Sequence, residues 1–383
     1  MDFSWSDAHT NLKQDVIAFA LEHLNEDNFE NDKNEIFPRG AWKKCADFGI
    51  QKLALPLKYG GNNEKVDFLG AIHAMEGLGF ACSDNGLSFG LNAVMWTVMT
   101  PILEFGSDEL KEKYLIPTGN GDLIASHALT EPGAGSDVYN METSALKTEG
   151  GYILNGEKHL ITLAPICDYA LVLAKTNPDL GKWGISAFIV EKGAKGFEIS
   201  KKKSKMGMRS IPIGSFEFKN CFVQSENLLG KEGMGFAIIN HSLEFDKCCI
   251  LASQLGAMER QLESSIKYVK LRKQYGKSVG SFQSVSNRIA DMKLRLETSK
   301  LLLYKTAWLK SKGKNVSLES SLLKLQLSEA FVSSSIDAIR NGGGMAYLSE
   351  NEVERDLRDS LGGVIYAGTS DIQRNIIAKL LGL

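Results

Sequence analysis

The spacing of hydrophobic residues changes twice along this chain, and that change constrains the fold more than any other feature of the sequence. Apolar side chains recur with helical spacing over residues 6–115, approach a spacing of two over about 121–230, and return to helical spacing from about 236. The pattern predicts an α+β protein built from three units. They are an N-terminal helical domain (1–120), a middle β-domain (121–232) and a C-terminal helical bundle (233–383).

Short strands separated by turn residues are predicted for the middle domain, at residues 152–155, 169–174, 185–190, 197–199 and 214–218. Glu149-Gly150-Gly151 and Asn155-Gly156 are turn signals between such runs, which favours a compact β-barrel or an orthogonal sandwich. Gly60-Gly61 and Pro101 interrupt the helical pattern of the N-terminal part. In the C-terminal part the strongest helical pattern covers residues 282–310, and a four-helix bundle is the simplest arrangement.

Composition and charge exclude several classes of protein. The 44 Lys and Arg residues are balanced by 46 Asp and Glu, so no nucleic-acid partner is expected. No run approaches the roughly 20 apolar residues of a membrane span, and the N-terminus does not resemble a signal peptide. The 6 cysteines lack CxxC spacing, which argues against disulfides or a metal site and favours a cytoplasmic location.

The common hydrolase motifs do not account for this sequence. It contains neither HExxH nor GxxxxGK[ST]. One GxSxG match occurs at residues 276–280, but no strand-like run precedes it, as a nucleophile elbow requires. We interpret it as a turn between two helices.

The most specific local feature is the run Thr130-Glu-Pro-Gly-Ala-Gly-Ser-Asp137, at the start of the β-domain. A glycine-rich backbone can approach a planar or phosphorylated ligand closely, with free N–H groups and the Ser136 hydroxyl as hydrogen-bond donors. The alternative is a glycine-rich connection between two domains. Eight consecutive residues preceded by His127-Ala-Leu129 favour the ligand-binding interpretation.

With this run, the sequence resembles the acyl-CoA dehydrogenase flavoprotein family over its whole length. The matching segments follow in the family's order: Thr130–Asp137, Leu160-Ile-Thr162, Lys205-Met-Gly-Met-Arg-Ser210, Arg272-Lys-Gln-Tyr-Gly-Lys277 with Gln283, Arg340-Asn-Gly-Gly-Gly344, and Gly368–Arg374. The resemblance implies a helical domain, a β-barrel and a four-helix bundle, with FAD as the cofactor and a homotetramer as the assembly.

The resemblance also assigns residues to the cofactor. The flavin ring would be lined by Leu129, Thr130, Ser136, Leu160, Ile161 and Thr162. The diphosphate and adenosine of a neighbouring subunit's FAD would meet Arg272, Gln283, Arg340, Gly343 and Gly344, because the guanidinium fork matches phosphate oxygens. Thr369 and Asp371 would touch the FAD of their own subunit. The family often has an aromatic residue at Leu160 and Gln at Arg340.

Enzymes of this family desaturate an acyl thioester, and a carboxylate must remove the α-proton. Most members place a Glu at the position of Ala367, which has no group to accept a proton. A minority place the base on the first bundle helix, where Asp246 stands in this chain. Glu244 competes for the role, but residues two apart on a helix point about 200° apart. We favour Asp246, and an ion pair or helix cap is its alternative role.

More narrowly, the sequence resembles dehydrogenases of aminoacyl groups tethered to carrier proteins, such as prolyl groups in pyrrole-forming natural-product pathways. In that branch the helix base is a Glu followed by Lys, which corresponds to Asp246-Lys247. The substrate would meet Ser136, Lys247, Ala367 and Gly368, and the electron acceptor stays open. The alternatives are a short-chain or branched acyl-CoA dehydrogenase and a flavin-binding protein without dehydrogenase activity.

Overall fold

The computed structural model describes residues 5–383, except for the side chains of residues 244–246. Seven helices form the N-terminal part: α1 (Asp7–His23), α2 (Asn28–Asn34), α3 (Arg39–Phe48), α4 (Phe68–Ala81), α5 (Asn85–Val94), α6 (Thr100–Phe105) and α7 (Asp108–Gly119). Several begin at residues that cap helices well. The Ser6 hydroxyl accepts a hydrogen bond from the His9 N–H at 3.2 Å, and Asp67 accepts one from the Gly70 N–H at 3.0 Å.

A continuous helical run of 21 residues, Asn85–Phe105, joins α5 to α6 through a π-helical turn at Met95–Met99. The prediction that no apolar run approaches the length of a membrane span is therefore wrong, since the mean hydropathy of this run reaches 1.3. Its most apolar window is 83% buried inside the fold, as in a core helix. Pro101 does not end the run. It directly follows the π-helical turn, and the Trp96 carbonyl oxygen accepts a hydrogen bond from the Thr100 hydroxyl at 2.7 Å.

The middle part is one eight-stranded mixed sheet. Its strands are β1 (Ala125–Ala128), β2 (Ser144–Thr148), β3 (Gly151–Thr162), β4 (Tyr169–Lys175), β5 (Ile185–Glu191), β6 (Phe197–Ile199), β7 (Ile213–Gln224) and β8 (Leu228–Leu229). The strand order is β6-β7-β3-β2-β4-β5-β8, and β1 pairs in parallel with β4. All five predicted strands are present.

The predicted turn at Asn155-Gly156 is wrong, because both residues lie inside β3. The register between β3 and β7 shifts between Leu154 and Gly156, which marks a bulge. Gly156 has φ of 138°, and a Cβ there would lie 2.7 Å from the Thr143 backbone. A glycine in the middle of a strand is thus required by a close approach of neighbouring backbone and does not end the strand.

The C-terminal part contains α8 (Gly235–Leu271), α9 (Gln283–Ser311), α10 (Ser317–Gly342), α11 (Val353–Gly363) and α12 (Ser370–Leu380). Between α8 and α9 lies the hairpin β9 (Lys273–Gln274) and β10 (Lys277–Ser278). It contains most of the GxSxG match, which accordingly forms a turn between helices. The predicted order of helical, β and helical parts is confirmed.

Helix α8 is the central element of the molecule, since it packs against α4, α5, α9 and α10. Two glycines allow its closest approach to α4. A Cβ on Gly79 would lie 1.9 Å from the Ser253 carbonyl oxygen, and one on Gly256 would lie 2.0 Å from the Glu76 carbonyl oxygen. The two backbones are therefore in direct contact, and this contact joins the N-terminal helices to the bundle.

Beside this contact, the fully buried carboxylate of Glu76 joins three helices. Its Oε1 lies 2.9 Å from Lys13 Nζ and 3.3 Å from Lys300 Nζ, and its Oε2 accepts a hydrogen bond from the Tyr304 hydroxyl at 2.6 Å. Burial opposes ionisation, but the contact with His73 and the two ammonium groups lower the pKa of Glu76 to about 2. The charge is thus retained and paired inside the protein.

Replacement of Glu76 by Gln should lower the free energy of unfolding by about 3 kcal/mol at pH 7, because the Lys13 and Lys300 ammonium groups lose the fully buried carboxylate that lies between them. Denaturant titration measures the loss. The matched control is Glu259→Gln, whose side chain is 26% exposed and pairs with the same Lys300 at 3.4 Å, so its loss should stay below about 1 kcal/mol.

This contribution should also depend on pH with a defined sign. The folded-state pKa of Glu76 lies below the ordinary value of 4.5, so its stabilisation is complete above that pH and is lost as the pH falls towards 2. The difference between wild type and Glu76→Gln should therefore shrink from pH 6 to pH 3. A constant difference over that range would contradict the assignment.

Candidate active site

The structure places the first two predicted flavin segments side by side. The Thr130 carbonyl oxygen accepts a hydrogen bond from the His159 N–H at 2.8 Å, and the Ser126 hydroxyl donates to the Thr162 carbonyl oxygen at 2.9 Å. Strand β1 and the glycine-rich run that follows it are thereby attached to the end of β3. Leu129 and Ile161 are buried in this region.

A buried ion pair fixes these segments, and it was not predicted. Lys158 Nζ lies 2.6 Å from Glu131 Oε1 and donates to the Leu129 carbonyl oxygen at 3.1 Å. The Glu131 carboxylate also accepts from the backbone N–H groups of Glu142 and Thr143. Glu131 lies within the glycine-rich run and Lys158 lies on β3, so the pair holds together the two segments that are predicted to face the flavin.

Burial lowers the pKa of Lys158 to about 8, although Glu131 opposes that shift. Burial alone would raise the pKa of Glu131, but the Lys158 ammonium and the backbone donors bring it below its usual value. The sequence did contain one signal for this pair. Alternate residues of a strand point to the same face, so Lys158 lies on the same side of β3 as the buried Tyr152 and Leu154. A lysine at an inward position of a strand requires a buried partner.

Two of the predicted flavin residues of this region are open to solvent, whereas Thr130 and Thr162 are half-buried. Ser136 is exposed, Leu160 is 54% exposed, and a Cβ on Gly133 or Gly135 would meet nothing within 4 Å. Leu160 has φ of 57°, in the left-handed region that side chains rarely adopt. The end of β3 and the glycine-rich run therefore present an accessible surface to a ligand.

The predicted diphosphate and adenosine residues gather at one end of the bundle. The Tyr268 hydroxyl, near the end of α8, donates to the Gly342 carbonyl oxygen at 3.2 Å. Arg288 on α9 donates to Asn341 at 2.9 Å. The residues themselves are all exposed on this protomer: Arg272, Gln283, Arg340, Gly343 and Gly344.

The loop after α11 carries the predicted substrate residues Ala367 and Gly368. Both have positive φ, of 52° and 85°, and their carbonyl oxygens accept hydrogen bonds from Gln373 Nε2 at 3.3 and 3.1 Å. Thr369 caps α12 by accepting from the Ile372 N–H at 3.2 Å, and Asp371 is exposed in the first turn. The loop is thus held in a defined shape directly before a helix N-terminus.

The predicted base, Asp246, and its competitor, Glu244, have side chains outside the described part of the structure. Their backbone belongs to α8, and the neighbouring Lys247 is partly buried. Ile250 lies one helical turn beyond Asp246 on the same face. The helical prediction for this segment is confirmed, whereas the assignment of the base stays a prediction.

A small cavity of about 10 Å³, enough for about one water molecule, lies next to Ile250, and sequence reasoning missed it. Its lining comes from all three parts of the chain: Asn85, Ser88, Phe89, Met208, Ile250, Ser253, Gln254, Phe331 and Tyr366. Gln254 Nε2 donates to the Tyr366 hydroxyl at 2.5 Å. Among the described residues, Gln254 Oε1 and the Ser88 hydroxyl have no hydrogen-bond partner, so the cavity presents buried polar groups.

The residues present fit an FAD. The open glycine-rich run leaves room for a flat ring. Two polar atoms, His127 Nε2 just before that run and Ser370 Oγ in the first turn of α12, are buried without a hydrogen-bond partner among the described residues. Burial lowers the pKa of His127 to about 4, which keeps its imidazole neutral. Exposed guanidinium groups at the far end of the bundle suit a diphosphate. Gly343 has φ of 58° and unobstructed space, so its backbone can approach a ligand closely.

Comparisons with known proteins agree with this geometry. The family models for the acyl-CoA dehydrogenase N-terminal, middle and C-terminal domains match residues 6–122, 126–221 and 233–382. The L-prolyl-[peptidyl-carrier protein] dehydrogenase of a Serratia species is 41% identical, over 100% of this chain and 99% of that protein. The protein of the same name from Pseudomonas fluorescens is 38% identical over 100% of both.

Solved structures give the same result. The prolyl acyl carrier protein oxidase AnaB superposes with a TM-score of 0.97 at 46% identity, covering 99% of this chain and 100% of AnaB. PigA with FAD and proline superposes with a TM-score of 0.97 at 40% identity over 100% of both chains. Together with three family models that span most of its length, these matches show that the chain belongs to the acyl-CoA dehydrogenase family.

Proposed function

We propose that this protein is an FAD-dependent dehydrogenase of a prolyl group held as a thioester on a peptidyl carrier protein. The observation that carries this proposal is the full-length similarity to two L-prolyl-[peptidyl-carrier protein] dehydrogenases, at 41% and 38% identity. Ala367 is consistent with this proposal. Its side chain cannot accept a proton, so the base must come from another element. The assembly is a homotetramer, the location is cytoplasmic and the pathway is natural-product biosynthesis.

Three observations support the proposed assembly, location and carrier-bound substrate. Arg272 and Arg340 are exposed on this protomer, as expected if they serve a neighbouring subunit. Cys45, Cys82, Cys167 and Cys221 are free thiols buried in the fold, which suits a reducing compartment. A carrier protein brings its substrate on a long flexible arm, so the reacting group can reach the junction where residues of all three domains meet.

The residues of this chain have separate tasks in the reaction. The FAD, when bound, supplies the acceptor for the hydride that leaves the β-carbon. Lys158 and Glu131 hold the two segments that face the ring. A carboxylate on α8 removes the α-proton. Farther along α8 and on α5, Gln254 and Ser88 carry buried polar atoms without a hydrogen-bond partner among the described residues, which suits an acyl group with a ring nitrogen better than a plain hydrocarbon.

The substrate class is tested by anaerobic bleaching of the flavin. Prolyl-loaded carrier protein should bleach the yellow colour, whereas butyryl-CoA and isovaleryl-CoA should not. The acyl-CoA alternative gives the reverse result, and a flavin-binding protein without dehydrogenase activity gives no bleaching with either class. Absorbance near the flavin maximum in a stopped-flow instrument measures all three.

The base is tested by paired variants on α8. Asp246→Asn should retain the flavin and lower the rate of bleaching by at least about 10²-fold, because general-base catalysis contributes about 10²–10⁴-fold and the amide accepts no proton. Glu244→Gln is the matched control and should bleach within about threefold of wild type. The opposite pattern would assign the base to Glu244, and normal rates in both would remove this stretch of α8 from proton transfer.

The Lys158–Glu131 pair is tested by flavin affinity. Lys158→Met leaves a buried carboxylate without its partner, so the segments that it fixes should separate and FAD should dissociate at least about tenfold more readily. Flavin fluorescence on dilution measures the dissociation constant. Lys219→Met, on the exposed side of the adjacent strand β7, should leave it unchanged. Equal affinities in the two variants would contradict a role for the pair.

A further inference from the structure

The loop Pro178–Gly184, between β4 and β5, exposes two large apolar side chains. Leu180 and Trp183 are each 56% exposed, although tryptophan is highly buried on average in folded proteins. The two strands that the loop connects are almost entirely buried. Large apolar side chains grouped at a surface mark a site of contact with another molecule.

The loop has a fixed shape despite this exposure. Its base is closed because the N–H groups of Thr176 and Asn177 both donate to the Gly184 carbonyl oxygen, at 2.8 and 3.1 Å. The Asn177 side chain accepts a hydrogen bond from the Asp179 N–H at 3.1 Å. Gly181 has φ of 54° and ψ of −128°, a conformation that glycine adopts and that strains other residues. A binding partner therefore does not have to order the loop.

Aromatic contacts hold Trp183 against the start of α8. Its ring packs edge-on against Phe236, with 4.9 Å between the ring centroids, and Phe236 lies 5.5 Å from Tyr139. Lys182 Nζ lies 4.3 Å from the centroid of the same Phe236 ring and 5.1 Å from that of Trp183. A Cβ on Gly233 would lie 2.9 Å from the Trp183 carbonyl oxygen, so the loop rests directly on the chain before α8. A rigid, exposed aromatic ring loses little conformational entropy when it binds.

This surface adjoins the candidate active site. Tyr139 follows the glycine-rich run, three residues after Ser136. Phe236 is the second residue of α8 and precedes the predicted base, Asp246, by ten positions, or about 15 Å of helix. A carrier protein presents its substrate on a phosphopantetheine arm, whose pantetheine part is as long as roughly four extended residues, or about 14 Å. A carrier protein on the loop therefore lies at the distance from the predicted base that its arm spans.

The charges of this surface suit an anion. Among the described residues, Lys182 and Lys231 have no carboxylate within 4.0 Å. Lys231 belongs to the segment on which the loop rests, and the neighbouring Glu232 is paired with Lys147 at 3.0 Å. Asp179 is the only carboxylate in the loop itself. The phosphodiester that joins the arm to its carrier protein is negatively charged, so it complements the two unpaired ammonium groups.

We propose that the loop Pro178–Gly184 is the docking surface for the carrier protein. Leu180 and Trp183 pack against the apolar surface of the carrier beside the attachment point of its arm, and Lys182 and Lys231 face the phosphodiester. The inference rests on the proposed function, because it takes a carrier protein as the bearer of the substrate. A CoA thioester has no protein surface to cover Leu180 and Trp183, so this loop favours the carrier-bound substrate.

The test compares a carrier-bound substrate with a carrier-free one. For the peptidyl carrier protein of the Serratia dehydrogenase, loaded with proline, Trp183→Ala should raise KM at least about tenfold, the loss expected of a central aromatic side chain in an interface. With prolyl pantetheine, which has the same thioester and no protein, kcat/KM should stay within about threefold of wild type. Steady-state rates with an artificial electron acceptor give both constants.

Met206→Ala is the matched control. Met206 is 60% exposed on another turn of the middle domain, so its replacement removes a similar amount of exposed apolar surface. KM of this variant should equal that of wild type with both substrates. Equal KM values for the loaded carrier protein in Trp183→Ala and Met206→Ala would contradict the inference.

The lysines are tested by ionic strength. KM of wild type for the loaded carrier protein should rise between about 0.05 and 0.5 M NaCl, because salt screens exposed charges. Lys182→Gln should begin at a higher KM and show a smaller rise. Lys219→Gln, on β7 and paired with Glu217 at 2.8 Å, should behave as wild type. The same salt dependence in Lys182→Gln and wild type would exclude the contact with the phosphodiester.

The outcomes separate this inference from the proposed function. If wild type oxidises neither prolyl substrate, the proposed function is wrong. If it oxidises prolyl pantetheine as efficiently as the loaded carrier protein, or if Trp183→Ala raises KM equally for both, the function stands and the docking surface is wrong. If only the loaded carrier protein reacts, calorimetric titration with the unloaded carrier decides, and equal affinities of wild type and Trp183→Ala would overturn the inference. A changed sedimentation coefficient of Trp183→Ala would assign the surface to a second copy of this chain instead.

Discussion

The backbone contact between α4 and α8 at Gly79 and Gly256 is the constraint on which the rest of the structure depends. No side chain larger than hydrogen fits at either position, so the two helices have one depth of approach. The same α8 carries the candidate base, the cavity residues Ile250 and Gln254, and Arg272 at its far end. The position of this helix therefore fixes both the candidate acyl site and the residues predicted to meet the diphosphate relative to the N-terminal domain.

Around that helix, the loops of the site are held by buried charges bound to backbone groups. Lys158 and Glu131 fix the glycine-rich run, and Lys205 and Asp359 fix the turn that carries Met208. Buried ion pairs contribute little net stability, because desolvation offsets their attraction. In this protein they restrict conformation. A buried charged group must keep its partners, so the loop to which it binds has one conformation.

Several features could be predicted from the sequence because they depend on local spacing or on contiguous residues. The helical and strand periods predicted the order of the domains, and the run from Thr130 to Asp137 predicted a segment that faces a flavin. The errors at Asn155-Gly156 and Pro101 have one cause. Glycine and proline indicate local conformational preferences, whereas a bulge against Thr143 or a π-helical turn directly before Pro101 depends on neighbouring structure.

The sequence by itself determined the class of fold, the cofactor and the absence of a carboxylate at position 367, because each is written in adjacent residues or in a repeating period. Only the tertiary structure decided that Lys158 meets Glu131, that Asp359 binds the Met208 N–H across 151 positions, and that nine residues from three domains enclose one cavity. Such contacts follow from the relative placement of packed elements, and that placement depends on many weak interactions that no short stretch of sequence contains.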